Sequence, residues 1–148
     1  MSQVVEPIRG PILDEPLAVG AVEAPRLARH QIVLDDGHLV GVTVAGRGVP
    51  LVVVHGFSAE GFLYAQSLSR LVKMGFRVVA IDTAGHGATQ GLPLTGASLN
   101  DYADLLGRAI DQLGVDRFVV AGHSMGGQLI TRMAARRPDK VMGVVLID

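Results

Sequence analysis

Phe118-Val-Val-Ala-Gly-His-Ser-Met-Gly-Gly127 reads as a short apolar run, a tight Gly-x-Ser-x-Gly turn and the opening of a helix. A serine in that setting stands at a strained strand-to-helix corner, its Oγ clear of the backbone. Gly122 and Gly126 lie two residues either side of Ser124, where strand and helix pass so close that a Cβ would collide. Gly127 is expected to open the helix to another close neighbour. The five-residue pattern is weak by itself, since about 0.1 chance matches arise in a chain this rich in Gly and Ser. Its context carries the reading: Val119-Val120-Ala121 suits a buried parallel strand, and Gln128 to Arg137 suits a helix.

Working outward, Leu51 to Val54 is a β-branched run of the kind buried on both faces of a sheet, and it ends in His55-Gly56-Phe57-Ser58. A helix is expected from Ala59 to Met74 with Gly75 at its C-terminal cap. Phe76 to Ile81 is a second buried strand, ending in Asp82-Thr-Ala-Gly-His-Gly87. Ser98-Leu-Asn-Asp101 fits a capping box. Tyr102, Leu105, Leu106, Ala109, Ile110 and Leu113 then recur at helical spacing until Gly114. Pro138 stops the helix that follows Ser124, and Val141 to Ile147 reads as a last buried strand before Asp148. Upstream, Asp35-Asp-Gly37 joins two strands, Arg29 to Leu34 and His38 to Ala45, as a hairpin. Residues 1–27 carry Pro7, Pro11, Pro16 and Pro25 without helical or alternating pattern, and read as an irregular extension to a domain over 28–148. Alternation of strand and helix implies an α/β fold, a mostly parallel sheet preceded by an antiparallel hairpin. Ligands of such sheets bind beyond the carboxyl ends of the strands. His55–Phe57, Asp82–Gly87 and Ser124 all fall there.

Composition narrows the function classes. Net charge is −1, with two lysines and eleven arginines dispersed along the chain, so nothing favours nucleic acid or an anionic membrane. Cysteine is absent, which excludes disulfides and thiolate metal sites. No apolar run approaches the roughly 20 residues of a membrane span. The N-terminus lacks a basic segment followed by an apolar one, so a cytoplasmic location is the expectation.

Together these motifs resemble the α/β-hydrolase fold family. The resemblance runs from about Arg29 to Asp148 and rests on His55-Gly56-Phe57, Asp82-x-x-Gly85-His86-Gly87 and Gly122-His123-Ser124-Met125-Gly126-Gly127, in the family's order. The chain looks most like serine esterases and lipases, and like the related carbon–carbon hydrolases and cofactor-free haloperoxidases. Epoxide hydrolases and haloalkane dehalogenases are also similar but carry aspartate where this chain has Ser124. The resemblance implies attack by Ser124 on an ester or related acyl carbonyl. The oxyanion would be held by the N–H groups of Met125, directly after the nucleophile, and Phe57. His55, Gly56, Gly122 and Gly126 support those positions, and no metal, nucleotide or organic cofactor is called for.

Family chain order is nucleophile, acid, histidine. After Ser124 this chain has no histidine; its five are His30, His38, His55, His86 and His123. The last three are expected to be structural, and His123 should leave the face of the strand opposite to that of the nucleophile. The sequence therefore looks like the N-terminal half of a hydrolase, with later strands and cap absent. In most of the family the acid follows the next strand; in a minority it ends the strand equivalent to Val141–Ile147, the place of Asp148. Otherwise Asp148 is a polar strand end, and Asp82 a carboxylate bracing its loop. An uncovered Val141–Ile147 would invite pairing with another copy or a complementary C-terminal segment. The competing reading is a non-catalytic, hydrolase-like binding or scaffold protein.

Overall fold

The computed structural model describes residues 7–8, 26–57, 64–93 and 95–148. Among the described residues seven strands form one sheet: β1 Pro7–Ile8, β2 Ala28–Val33, β3 Leu39–Ala45, β4 Val49–Val54, β5 Phe76–Ile81, β6 Phe118–His123 and β7 Val141–Ile147. Their order across the sheet is β1-β2-β3-β5-β4-β6-β7. The hairpin β2–β3 and the pair β3–β5 are antiparallel, whereas β5, β4, β6 and β7 run parallel. Among the described residues the helices are α1 Ala65–Lys73, α2 Leu99–Gln112 and α3 Met125–Arg136. Residues 58–63 lie outside the described residues, so only the C-terminal part of the expected 59–74 helix is seen.

Strand parity sorts the core into two layers. Val52 and Val54 of β4, Val79 and Ile81 of β5, and Phe118 and Val120 of β6 share one face with Leu105, Leu106 and Ile110 of α2 and Leu129, Ile130 and Met133 of α3. Val78 and Ala80 of β5 face the other way, onto Leu68 of α1. The capping box is formed: the Ser98 N–H donates to Asp101 Oδ2 (2.6 Å), and the Asp101 N–H donates to Ser98 Oγ (3.3 Å). Gly75 follows the C-cap of α1 at φ 95°, a conformation that excludes most side chains.

Some features differ from the sequence reading for physical reasons. β4 starts at Val49 rather than Leu51 and so includes Pro50; β6 begins to pair with β4 only at Leu51, so the missing N–H disturbs no bond on that side. α3 starts at Met125, not Gln128, because packing of Gly126 against β4 outweighs the low helix propensity of its glycines. Pro7–Ile8 adds a two-residue edge strand parallel to β2, where proline is tolerated; the rest of the segment up to residue 25 lies outside the described residues. Finally, β7 is not a buried strand. Met142, Val144, Val145, Leu146 and Ile147 are all exposed, since β6 covers one edge only, α3 covers one face only in part, and no helix lies over the other face at β7 among the described residues.

Candidate active site

Ser124 is the sole non-glycine residue with positive φ among the described residues, at φ 53° and ψ −118°, and it is exposed. A conformation of this kind costs on the order of 1–3 kcal/mol and persists only where its surroundings fix it. Here they do. The Ser124 N–H donates to the Ile147 carbonyl of β7 (2.9 Å), and the Ser124 carbonyl accepts from the Gly127 N–H (2.9 Å). The two flanking glycines are required by close approach. A Cβ on Gly122 would lie 2.6 Å from the Gly126 carbonyl oxygen, and one on Gly126 would lie 2.6 Å from the His55 carbonyl oxygen and nearer still to that of Val54. Gly127 differs from expectation: its nearest neighbours would be Gly122 O and Leu146 Cδ2 at 3.5 Å, an ordinary contact, because it looks toward the open β7 side.

The end of β4 brings a second element to the serine. His55 is fully buried, and its Nε2 accepts the Thr83 N–H (2.9 Å), which leaves the ring proton on Nδ1 to donate to the Gly56 carbonyl (2.7 Å). A trans peptide sets C=O and N–H on opposite sides, so this bond turns the Phe57 N–H away from His55. Gly56 itself rests on the corner: a Cβ there would be 3.3 Å from Ser124 Cβ and 3.1 Å from His123 Nδ1. The Phe57 ring is three-quarters exposed (75%) and meets His86 edge-on, ring centres 5.7 Å apart. Met125 opens α3, so its N–H has no carbonyl partner within the helix and sits at the positive end of the helix dipole.

The Asp82–Gly87 segment braces this arrangement. Asp82 is buried; its Oδ2 accepts from Arg29 Nη2 (3.2 Å) and the Ala88 N–H (3.0 Å), which holds the loop against β2. Thr89 Oγ1 donates to the Asp82 carbonyl (2.7 Å) and accepts the Gly41 N–H (2.9 Å). His86 Nδ1 lies 3.1 Å from Thr83 Oγ1 and 3.0 Å from the Ala84 carbonyl, beside the His55 ring. His123 leaves β6 on the α1 face, where its Nδ1 is 3.1 Å from the Tyr64 hydroxyl.

Beyond the strand ends, Ser124, Gly127, Gln128, Thr131, Leu146, Ile147 and Asp148 line a cleft of about 300 Å³. Asp148 is exposed and shares this cleft with the serine. Gln128 and Thr131 escaped the sequence reading, although they follow Ser124 by four and seven residues, the spacing of one helix face. Tyr64 carried no local signal at all, since its partner lies 59 residues away. No group of three or more His, Asp or Glu side chains among the described residues converges as a metal site. No helix among them is long and apolar enough to cross a membrane.

A profile of the alpha/beta hydrolase fold matches residues 49–148, the stretch holding both the strand ends and the serine corner. The chain belongs to the α/β-hydrolase family. It is 44% identical over 117 residues to a protein of Mycobacterium phage D29 named for non-heme haloperoxidase activity; that stretch is 79% of this chain and 42% of the relative. Haloalkane dehalogenase 2 of Mycobacterium tuberculosis is 35% identical over 101 residues, 68% of this chain and 35% of the relative. Among solved structures, a thioesterase domain from the curacin biosynthetic pathway superposes with a TM-score of 0.74 at 27% identity, over 82% of this chain and 46% of that domain. This α/β hydrolase chain thus spans less than half the length of each of these relatives.

Proposed function

We propose that the protein is a serine hydrolase of carboxylic esters or related acyl substrates. The observation that carries this reading is an exposed serine held at positive φ against the Gly56 backbone, with a helix N-terminus beginning at the next residue. Ser124 Oγ would bond to the acyl carbon while its proton passes to a base. The carbonyl oxygen, now negative, would accept from the Phe57 and Met125 N–H groups. Collapse expels the alcohol or thiol with a proton, and water then releases the acid by the same path. Loss of one oxyanion donor costs on the order of 2.7–4 kcal/mol of barrier. His55 acts by orienting the Phe57 amide; its Nε2 is occupied by the Thr83 N–H and cannot take the serine proton. In the family's chain order, nucleophile then acid then histidine, the base follows the acid, and Asp148, on the cleft, is the candidate acid.

Relatives named for haloperoxidase and thioesterase chemistry keep perhydrolysis and thioester hydrolysis within this class. The dehalogenase relative weighs less, because its resemblance class uses aspartate where Ser124 stands. The second reading is a binding protein on a hydrolase scaffold. A fluorophosphonate probe on the full-length gene product decides. Labelling that disappears in Ser124→Ala supports the enzyme; an unlabelled, folded protein supports the binder.

A further inference from the structure

We propose that Tyr64 and His123 form a positioning pair that sets the distance between Ser124 and the Phe57 amide, an inference that rests on Ser124 as nucleophile. His123 is the last residue of β6 and lies on the α1 face with Val119 and Ala121, while the chain turns at Ser124. Its ring meets Tyr64 edge-on, centres 6.2 Å apart, with the phenol oxygen 3.1 Å from Nδ1. Tyr64 is the N-cap residue of α1 and packs with Val53 against Leu68, Val78 and Ala80, so it is a fixed support. Gly56 faces the His123–Ser124 junction: the place of a Cβ is 3.1 Å from His123 Nδ1 and 3.3 Å from Ser124 Cβ. The imidazole edge and the serine methylene together form the floor under the oxyanion loop.

The nitrogen that faces the open side of Gly56 is the one that Tyr64 holds. Either partner can donate in that bond, so the pair keeps it in both neutral tautomers. Without the phenol oxygen the imidazole is free to rotate off Gly56, and the loop loses its floor on the α1 side. Neither side chain need touch a reacting atom, which makes both residues positioning rather than catalytic.

The test compares full-length wild type with Tyr64→Phe, His123→Asn and His123→Leu. Asparagine places a polar atom where Nδ1 was; leucine does not. The pair predicts faster hydrogen exchange of the Phe57 amide in Tyr64→Phe and His123→Leu. It also predicts a maximal fluorophosphonate labelling rate lower by about tenfold at unchanged half-saturating probe concentration, the cost of a small misplacement. His123→Asn should recover most of that rate, with Tm in Tyr64→Phe within about 4 °C of wild type. Unchanged Phe57 exchange in Tyr64→Phe, or His123→Asn as slow as His123→Leu, overturns the pair. If wild type takes no label, Ser124 as nucleophile fails, and Phe57 exchange alone still decides whether Tyr64 and His123 hold the loop.

Discussion

β4 and β7 flank β6 on its two sides and are built from nearly the same residues, Val-Pro-Leu-Val-Val-Val and Val-Met-Gly-Val-Val-Leu-Ile. Register places Val52, Val120 and Val144 side by side in one row on one face of the sheet. Their exposures are 0%, 0% and 44%. An apolar run records a capacity for burial; the neighbours decide whether it is used. β4 has strands on both edges and helices over its face, whereas β7 has one paired edge and partial cover from α3. The serine corner joins the two regimes. Gly126 presses on the end of β4, Ser124 hangs from β7 by its amide, and Gly127 looks out over Leu146.

The two adjacent glycines, one on each side, should differ most in what a methyl group does to them. Gly126→Ala places a methyl against two backbone carbonyls that cannot yield, and should cost about 3 kcal/mol or more in urea unfolding. Gly127→Ala meets only ordinary contacts and should leave stability equal or higher by up to about 1 kcal/mol, since alanine is the better helix former. Equal losses at both positions would mean that the β7 side is as tightly packed as the β4 side. The row of valines gives the next largest contrast. Val52→Ala should cost about 2 kcal/mol, and Val144→Ala less than about 0.5 kcal/mol. A full-sized loss at Val144 in the 148-residue chain would show that another copy covers β7 in solution.

Ser124→Gly tests what the corner itself stores. Glycine removes the positive-φ strain but adds chain entropy, leaving a net gain of about 1 kcal/mol in stability. Ser124→Ala keeps the strain and should gain little. Both variants should lose fluorophosphonate labelling. If alanine and glycine stabilise alike, the corner is not held in the strained conformation, and the bond from Ser124 to Ile147 is not what positions the serine.

Much of this was legible because the signals are local. Gly122, Ser124 and Gly126 announce a corner by spacing; Ser98 and Asp101 announce a helix start; Gly75 and Gly114 announce helix ends. The strand cores Phe76–Ile81 and Val141–Ile147 were readable from β-branched content alone. What was not legible depends on partners distant in sequence. The exposure of β7 is set by which strands lie beside it, and the early start of α3 by a fit of Gly126 to β4. The one-residue irregularity that shifts β7 against β6 between Phe118 and Val119 has no marker in either strand. The Tyr64–His123 contact is of the same kind, since nothing near either residue points to the other.

The smallest effect concerns the cap of α2, which serves the central strands and not β7. Hydrogen bonds from the Ser98 backbone N–H and then its hydroxyl hold the Asp101 carboxyl below its ordinary value of 3.8. A carboxylate depressed on folding adds stability that is complete above the unfolded value and disappears as pH falls through the folded one. The gap between wild type and Asp101→Asn should therefore be widest near neutrality and should close as pH drops below 3.8. The gap between wild type and Val144→Ala, an apolar change at an exposed edge, should be the same at pH 7 and in acid. Thermal unfolding of the three proteins across that range separates the two. A pH-independent Asp101→Asn gap would mean that the cap is held by the serine alone, because only the ionised carboxylate gains from the Ser98 amide.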